Sequence, residues 1–271
     1  MKKFKYFRYL MLLSFLKTSC SDDLNDKQYR ITSLGNTGIY ISSNKITILI
    51  DGLFDEGYGK YDTPTSSILN SIINKKAPFN KIDMVLFTHA HPDHFNLDLV
   101  EKFKEKNSSV KIIAPKSELK MLSSNEFDCS VSNDVIMYSD SSQGISVKSY
   151  KFPHEDDPFD KIEHYIYLIN IDGFYILHMG DAKCANIETF KKLNITDTID
   201  VVVAPRWFVT ASDNKGFNVL EECFHPKNVI ISHIAKRDYN EYKKIIGEYK
   251  FANFYVLEKP LTNFGFNKSS E

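Results

Sequence analysis

The sequence predicts an α/β domain in which two β-sheets pack face to face and helices cover their outer surfaces. Three observations predict it. Strand-like segments follow one another directly near the start, strands and helices alternate toward the end, and each half combines both patterns. The 271 residues are 42% hydrophobic and 13% aromatic, enough for a sizeable core. The 11 glycines and 9 prolines are spread along the chain, which argues against a disordered or fibrous class.

The elements follow in order. Tyr29–Leu34, Gly38–Ser42 and Lys45–Asp51 are β-branched or alternating, with turn residues Gly35-Asn36 and Ser43-Asn44 between them, so they read as an antiparallel meander. Residues 65–76 read as a helix, and Ile82–Thr88 as a short apolar strand ending in a polar cluster. Residues 96–106 carry Leu97, Val100 and Phe103 on one helical face. Val110–Ala114 is a buried strand, and Pro115 opens a helix to about Ser123. Strands are expected at about 134–138, 144–152, 163–171 and 173–179. Helices near 185–193, 216–223 and 239–249 then lead to strands Ile199–Ala204, Asn228–Ser232 and a last strand, Phe254–Leu257. No repeat, low-complexity segment or linker follows residue 28, so residues 29–271 are expected to form one domain.

The first residues have a different character. Residues 1–8 are basic, 9–16 are apolar, and Thr18 and Ser19 precede Cys20, the layout of a bacterial secretion signal over residues 1–19. The apolar run is too short to span a bilayer. Cys20 after small residues resembles the lipidated cysteine of a bacterial lipoprotein, although Lys17 stands where such signals usually carry Leu. Cys20-Ser21-Asp22-Asp23 resembles the acidic export tag of Bacteroidetes lipoproteins. The resemblance implies a lipid anchor at Cys20, a polar tether over residues 20–28, and a place in the bacterial cell envelope at the outer membrane. Removing the five basic residues of the signal leaves 29 basic against 35 acidic, a net charge of −6, which disfavours nucleic acid as a partner. Of the remaining cysteines, Cys129, Cys184 and Cys223, none lies in a CxxC pair, and the odd count leaves at least one free thiol.

The chemistry concentrates in Thr88-His89-Ala90-His91-Pro92-Asp93-His94, which follows an apolar strand. His89 and His91 are two apart, so in an extended segment both point to one side. Asp93 and His94 come as the chain turns toward the next helix, where they can address a second centre. Imidazole and carboxylate donors suit first-row metals, zinc best.

HxHxDH after an apolar strand is the signature of the metallo-β-lactamase superfamily, which this chain resembles over essentially all of its mature length. The resemblance implies an αββα sandwich of two mixed sheets with outer helices. It also implies two metals. His89, His91 and His154 would hold the first, Asp93, His94 and His233 the second, and Asp181 would bridge them. Asp51 resembles the aspartate that steadies the HxHxDH loop from behind the ligands. His154 is favoured over His164, which begins the next strand and would have to reach back. His178 reads as a core histidine and His225 as a surface one. Two zinc ions per chain are implied, with Mn2+ or Fe2+ as alternatives, and a bridging hydroxide for which Asp93 and Asp181 form the catalytic surroundings.

Within the superfamily, Asp181 argues against antibiotic hydrolysis, because the β-lactamase classes lack this Gly-Asp carboxylate. His91 stands where the diiron oxidoreductase branch carries Glu. Leu34-Gly35-Asn36-Thr37-Gly38, Ile50-Asp51-Gly52-Leu53-Phe54, Glu163-His164-Tyr165 and Ala204-Pro205-Arg206-Trp207 are similar to the branch holding ascorbate-6-phosphate lactonase and N-acyl-phosphatidylethanolamine phospholipase D. That similarity implies hydrolysis of a lactone or phosphodiester, on a small-molecule or lipid-like substrate. Arg206, Trp207 and Phe208 are expected at the pocket wall, with Arg206 an anion contact, and Phe54–Tyr61 is expected as a loop over the site. Two other readings stay open: a non-catalytic metal- or ligand-binding lipoprotein, and a mononuclear iron enzyme akin to thiol dioxygenases.

Overall fold

Side chains alternate between the two faces of a strand, and in this chain both faces are apolar, so each sheet must be covered twice. The computed structural model describes residues 28–122, 135–155, 161–211 and 213–268. The first half contains β1 (Tyr29–Gly35), β2 (Gly38–Ser43), β3 (Thr47–Ile50), α1 (Ser66–Ile73), β4 (Met84–Leu86), α2 (Leu97–Lys106), β5 (Lys111–Ile113) and α3 (Lys116–Met121). A meander of β6 (Val135–Asp140), β7 (Ile145–Lys151), β8 (Tyr165–Ile171) and β9 (Phe174–His178) follows. Then come α4 (Ile187–Lys191), β10 (Val201–Pro205), α5 (Trp207–Thr210), α6 (Lys215–Asn218), β11 (Asn228–Ser232), α7 (Tyr239–Gly247), β12 (Asn253–Val256) and β13 (Asn263–Phe266).

The strands form two mixed sheets, in the orders β13-β1-β2-β3-β4-β5 and β12-β11-β10-β9-β8-β7-β6. In the first, β1 to β3 are antiparallel and β3 to β5 parallel; in the second, β6 to β9 are antiparallel and β9 to β12 parallel. Ile48 and Ile50 face inward with Val201 and Val203 to form the core between the sheets. Leu49 and Val85 face outward onto Ile72, Val100 and Phe103 of α1 and α2. Val202 and Ile231 face outward onto Phe208, Val219 and Ile246. The layering is therefore helix, sheet, sheet, helix.

Local signals start the helices. The side chain of Thr65 accepts from Ile68 N and that of Asn96 from Leu99 N, filling donors that a helix's first turn leaves unpaired. Helix α1 stops at Ile73, short of the expected residue 76, because Asn74 caps it and Lys75 takes a positive φ of 46°. The segment expected as one helix over 216–223 is α6 followed by a π-helical turn, Val219–Phe224.

Two further elements have no counterpart in the sequence reading. The chain does not end its sheets at β12: β13 pairs antiparallel with β1, Phe266 opposite Tyr29. Phe264 and Phe266 alternate, but four residues with a central glycine carry too weak a period to stand out. The short helix α5 is built from Trp207-Phe208-Val209-Thr210, residues that favour strands. Burial of Phe208 and Val209 against the outer face of the second sheet overrides that propensity.

Candidate metal centre

The loops at one end of both sheets converge on a single cluster. The polar segment after β4 supplies His89, His91, Asp93 and His94, and its path is fixed from behind by Asp51 at the end of β3. Asp51, in a left-handed conformation with φ 46°, accepts from Thr88 N at 2.8 Å and from Thr88 Oγ1 at 2.7 Å. Its Oδ2 also lies 2.9 Å from His94 Nδ1, which leaves Nε2 of that ring facing the cluster. Thr88 Oγ1 contacts His89 Nδ1 at 3.0 Å, and Thr37 Oγ1 contacts His94 Nδ1 at 3.0 Å. Asn36 Nδ2 donates to Asp93 Oδ2 at 2.9 Å.

The remaining donors arrive from the second sheet. His154 follows β7 and forms an isolated bridge with Ala182. Asp181 follows β9 through Gly180, whose φ is 51° and whose added Cβ would come within 2.8 Å of Thr88 Cβ and His164 Nε2. Glycine is required there because both the backbone conformation and the space exclude a side chain. His233 follows β11, also at positive φ (58°).

These seven side chains form two groups. His89, His91, His154 and Asp181 make one, and Asp93, His94 and His233 the other; within each, one potential ligand atom per residue lies within 4.8 Å of the rest. Asp181 stands where the groups meet. Its Oδ2 is 3.6 Å from His154 Nε2 and 3.1 Å from His233 Nε2, and its Oδ1 is 3.3 Å from His94 Nε2. Nε2 of His89 and of His154 are 3.2 Å apart.

The electrostatics fit a bound cation. Burial, then the charge of His94, pushes His89 well below the usual imidazole range, and burial lowers His91. Burial also works against charge on His94, but Asp181 and Asp51 outweigh it and hold that ring well above the ordinary value. Burial alone would raise Asp181; His233, His94 and His154 overcome it and hold the carboxyl well below its usual range. Buried His94 Nε2 and Asp181 Oδ1 have no hydrogen bond of acceptable geometry, although they face each other. The lowered His89 and His91 imidazoles, the ionised Asp181 carboxylate and the unsatisfied buried atoms suit a divalent first-row metal, which would take the place of the proton that Asp181 and Asp51 stabilise on His94.

The other histidines are accounted for. His164 is fully buried, its Nδ1 lies 3.1 Å from Phe152 O, and its Nε2 accepts from Asp181 N at 3.1 Å. Burial takes its pKa down to about 3. Both ring nitrogens are thus engaged, and His164 positions the Asp181 backbone. His178 is buried, with Nε2 3.0 Å from Thr37 O, and His225 is exposed.

The cavity over the cluster measures about 250 Å³ and is lined by Tyr58, Lys60 and Tyr61 together with His91, Asp93, His154, Asp181 and His233. The expectation for the pocket wall is corrected here, since Arg206, Trp207 and Phe208 do not line it. Phe208 is fully buried in the outer core beside Phe190. Trp207 donates to Ala182 O at 2.8 Å and packs edgewise on His233, so it buttresses a candidate ligand. Arg206 is held by the hydroxyl of Tyr242 at 3.4 Å and by Tyr61. The Phe54–Tyr61 segment does reach the site, but the residues that line it are Tyr58, Lys60 and Tyr61. The supporting roles of Asn36 and Thr37 went unassigned in the sequence; their only signal was a polar pair in the turn between β1 and β2. A larger open groove of about 640 Å³ runs along β12 between Lys243 and Phe264 and, among the described residues, holds no cluster of potential metal ligands of this kind.

Cys20 and Cys129 lie outside the described residues. Cys184 and Cys223 are free thiols, and burial raises Cys184 to about 11. Among the described residues no helix is long and apolar enough to cross a membrane.

Residues 30–230 match the family described as the β-lactamase superfamily domain. No curated protein matches the sequence. Among solved structures the chain is similar to Igni18, a metallo hydrolase from the archaeon Ignicoccus hospitalis, with 18% identity, a TM-score of 0.60, and coverage of 88% of this chain and 99% of that one. It is similar to an isothiocyanate hydrolase from Delia radicum gut bacteria, at 13% identity, TM-score 0.60, and 88% and 99% coverage. It also resembles CmlA, a diiron β-hydroxylase from Streptomyces venezuelae, at 13% identity and TM-score 0.57, covering 88% of this chain and only 54% of CmlA. With the αββα layering, the HxHxDH loop and the family match spanning most of its length, the chain belongs to the β-lactamase superfamily and has the metallo-β-lactamase fold.

Proposed function

We propose that this protein is a two-metal hydrolase acting on a lactone or phosphodiester. The observation that carries the reading is the place of Asp181, within 3.6 Å of His154 on one side and 3.1 Å of His233 on the other. A single carboxylate shared by two His-rich groups is the arrangement a dinuclear site needs. His89, His91, His154 and Asp181 would hold one ion, and Asp93, His94, His233 and Asp181 the other. Zinc suits these donors best, with Mn2+ or Fe2+ as alternatives. Two such ions supply a nucleophile at neutral pH and neutralise charge that develops on the substrate.

The chain's own residues do the rest. Asp51 holds the His94 ring in the tautomer that presents Nε2. Asn36 fixes the Asp93 carboxylate, and His164 fixes the backbone of Asp181. Asp93 and Asp181 are the acceptors placed to orient an attacking water. Of the structural neighbours, Igni18 and the isothiocyanate hydrolase carry names that agree with hydrolysis, whereas CmlA is named as a diiron enzyme. Seven donors in two groups favour the dinuclear hydrolase over a mononuclear iron site or a decayed binding protein.

From the basic, apolar and small residues that precede Cys20, we further propose that the mature chain is lipid-anchored through Cys20 at the outer membrane of the bacterial envelope and takes a small-molecule or lipid-like substrate. The test is a screen of chromogenic lactones and phosphodiesters with metal-supplemented protein beside an Asp181→Ala variant. Turnover that the variant lacks supports the proposal; equal turnover, or none on either class, contradicts it.

A further inference from the structure

The segment over the site contains a backbone turn that its residues do not favour. Gly57-Tyr58-Gly59-Lys60 is a tight turn closed by Lys60 N donating to Gly57 O at 2.8 Å. Both central residues have positive φ, 50° at Tyr58 and 67° at Gly59. Turns with two such residues favour Asn or Asp followed by Gly. A bulky aromatic in the first position is strained, and strain of this kind persists only where the surroundings hold it.

The surroundings do hold it. Tyr61 N also donates to Gly57 O at 2.9 Å, and Glu56 Oε1 accepts from Gly57 N at 2.8 Å. Lys236 N donates to Lys60 O at 3.0 Å, tying the turn to the segment after His233. The Tyr61 ring packs edgewise on His233 with centroids 4.5 Å apart. The turn is thus pinned to the second group of candidate ligands.

This pinned turn presents two side chains to the cavity. Tyr58 is 52% exposed, an apolar ring left in solvent at the cavity mouth. Lys60 is exposed, lines the same cavity, and has no ion-pair partner among the described residues. The other cation nearby, Arg206, is engaged by Tyr242 and Tyr61 and does not line the cavity. Among the described residues, Lys60 is therefore the one lysine or arginine that lines the cavity over the cluster.

We propose that Lys60 is a specificity residue, whose ammonium receives an anionic group of the substrate distinct from the bond that is cleaved. This rests on the hydrolase reading above and narrows it to small substrates that carry a carboxylate or phosphate beside the scissile ester. A lysine presents a point charge suited to either anion. The Tyr58 ring flanks the same mouth and gives the body of such a substrate an apolar surface, while the pinned turn fixes the backbone from which both side chains project.

The test uses metal-supplemented protein and a matched pair of lactones, one bearing a free carboxylate and the other its methyl ester. Lys60→Met and Lys60→Arg are compared with the unaltered chain. The kcat/KM ratio of the charged to the neutral lactone is expected to fall roughly fivefold in Lys60→Met, the effect of one solvent-exposed ion pair, and to recover in Lys60→Arg. An unchanged ratio overturns the proposal. Calorimetric titration with the two ring-opened products separates it from the reading on which it rests. If neither lactone is hydrolysed but Lys60→Met still weakens the dianionic product roughly fivefold relative to the methyl ester product, the hydrolase reading fails and the role of Lys60 stands. If hydrolysis occurs and both products bind Lys60→Met with their original affinity ratio, the role of Lys60 fails.

Discussion

Asp51 and His94 are both fully buried, and Oδ2 of the first lies 2.9 Å from Nδ1 of the second. The pair connects the end of β3 to the loop after β4, and Asp51 grips that loop again through Thr88. A carboxylate behind a histidine fixes its tautomer and ring direction, and losing such a partner typically weakens metal affinity about 10- to 100-fold. Asp51→Asn is therefore expected to fold and to lose metal to a competing chelator at correspondingly lower chelator concentration. Unchanged retention would remove Asp51 from the site's machinery.

His164 supports the other wall. Replacing it with Phe removes the acceptor for Asp181 N and leaves that buried donor unpaired, a cost of about 1–3 kcal/mol. Urea denaturation should register this loss. If the residue positions Asp181 rather than only filling space, metal affinity falls as well. His164→Gln, which can still accept from that donor, should restore part of the affinity.

Phe208 offers a contrast. It is fully buried beside Phe190 and does not line the cavity. Phe208→Ala should cost about 3–5 kcal/mol of stability through the lost packing and the void left behind. At a temperature where the variant stays folded, KM should be little changed. A large KM change with unaltered stability would return Phe208 to the pocket wall.

Stability should also depend on pH through Glu118. This residue of α3 is fully buried, and burial raises its pKa from 4.5 to about 7 in spite of a hydrogen bond from Ser117 Oγ. Its folded pKa lies above its unfolded one, so its contribution is fully present below pH 4.5 and is lost as pH rises through about 7. The loss amounts to roughly 3 kcal/mol. Glu118→Gln cannot ionise, so denaturation at pH 5 and pH 8 should show the variant gaining on the native chain at the higher pH. Parallel behaviour at both values would contradict this account.

The fold was legible where periods were long. Strands such as Lys45–Asp51 and Val201–Pro205 carry apolar residues on both faces, which only a sheet covered twice can bury, and Thr65 and Asn96 mark helix starts. It was illegible where tertiary packing decides. Trp207–Thr210 turns helical because Phe208 and Val209 fill the outer layer, and Asn263–Phe266 becomes a strand because β1 needs an edge partner. Similar limits hold at the site. The HxHxDH segment was legible on its own, whereas His154, Asp181 and His233 were singled out through the resemblance to the superfamily, which calls for ligands at the ends of apolar strands. Which residues line the cavity was not. Arg206 and Trp207 follow β10 on that rim, but their side chains turn toward Tyr242 and Ala182. The lining comes instead from a turn whose position depends on contacts with residues almost two hundred positions away, such as Lys236.

The central claim is that Asp181 joins two metal sites, and metal content tests it most directly. The mature domain from residue 21 onward is purified without chelator, as is its Asp181→Ala variant, and bound metal is counted per chain. The account predicts close to two zinc ions in the native domain and a clear fall in the variant. One iron per chain, or metal content indifferent to Asp181, would contradict it.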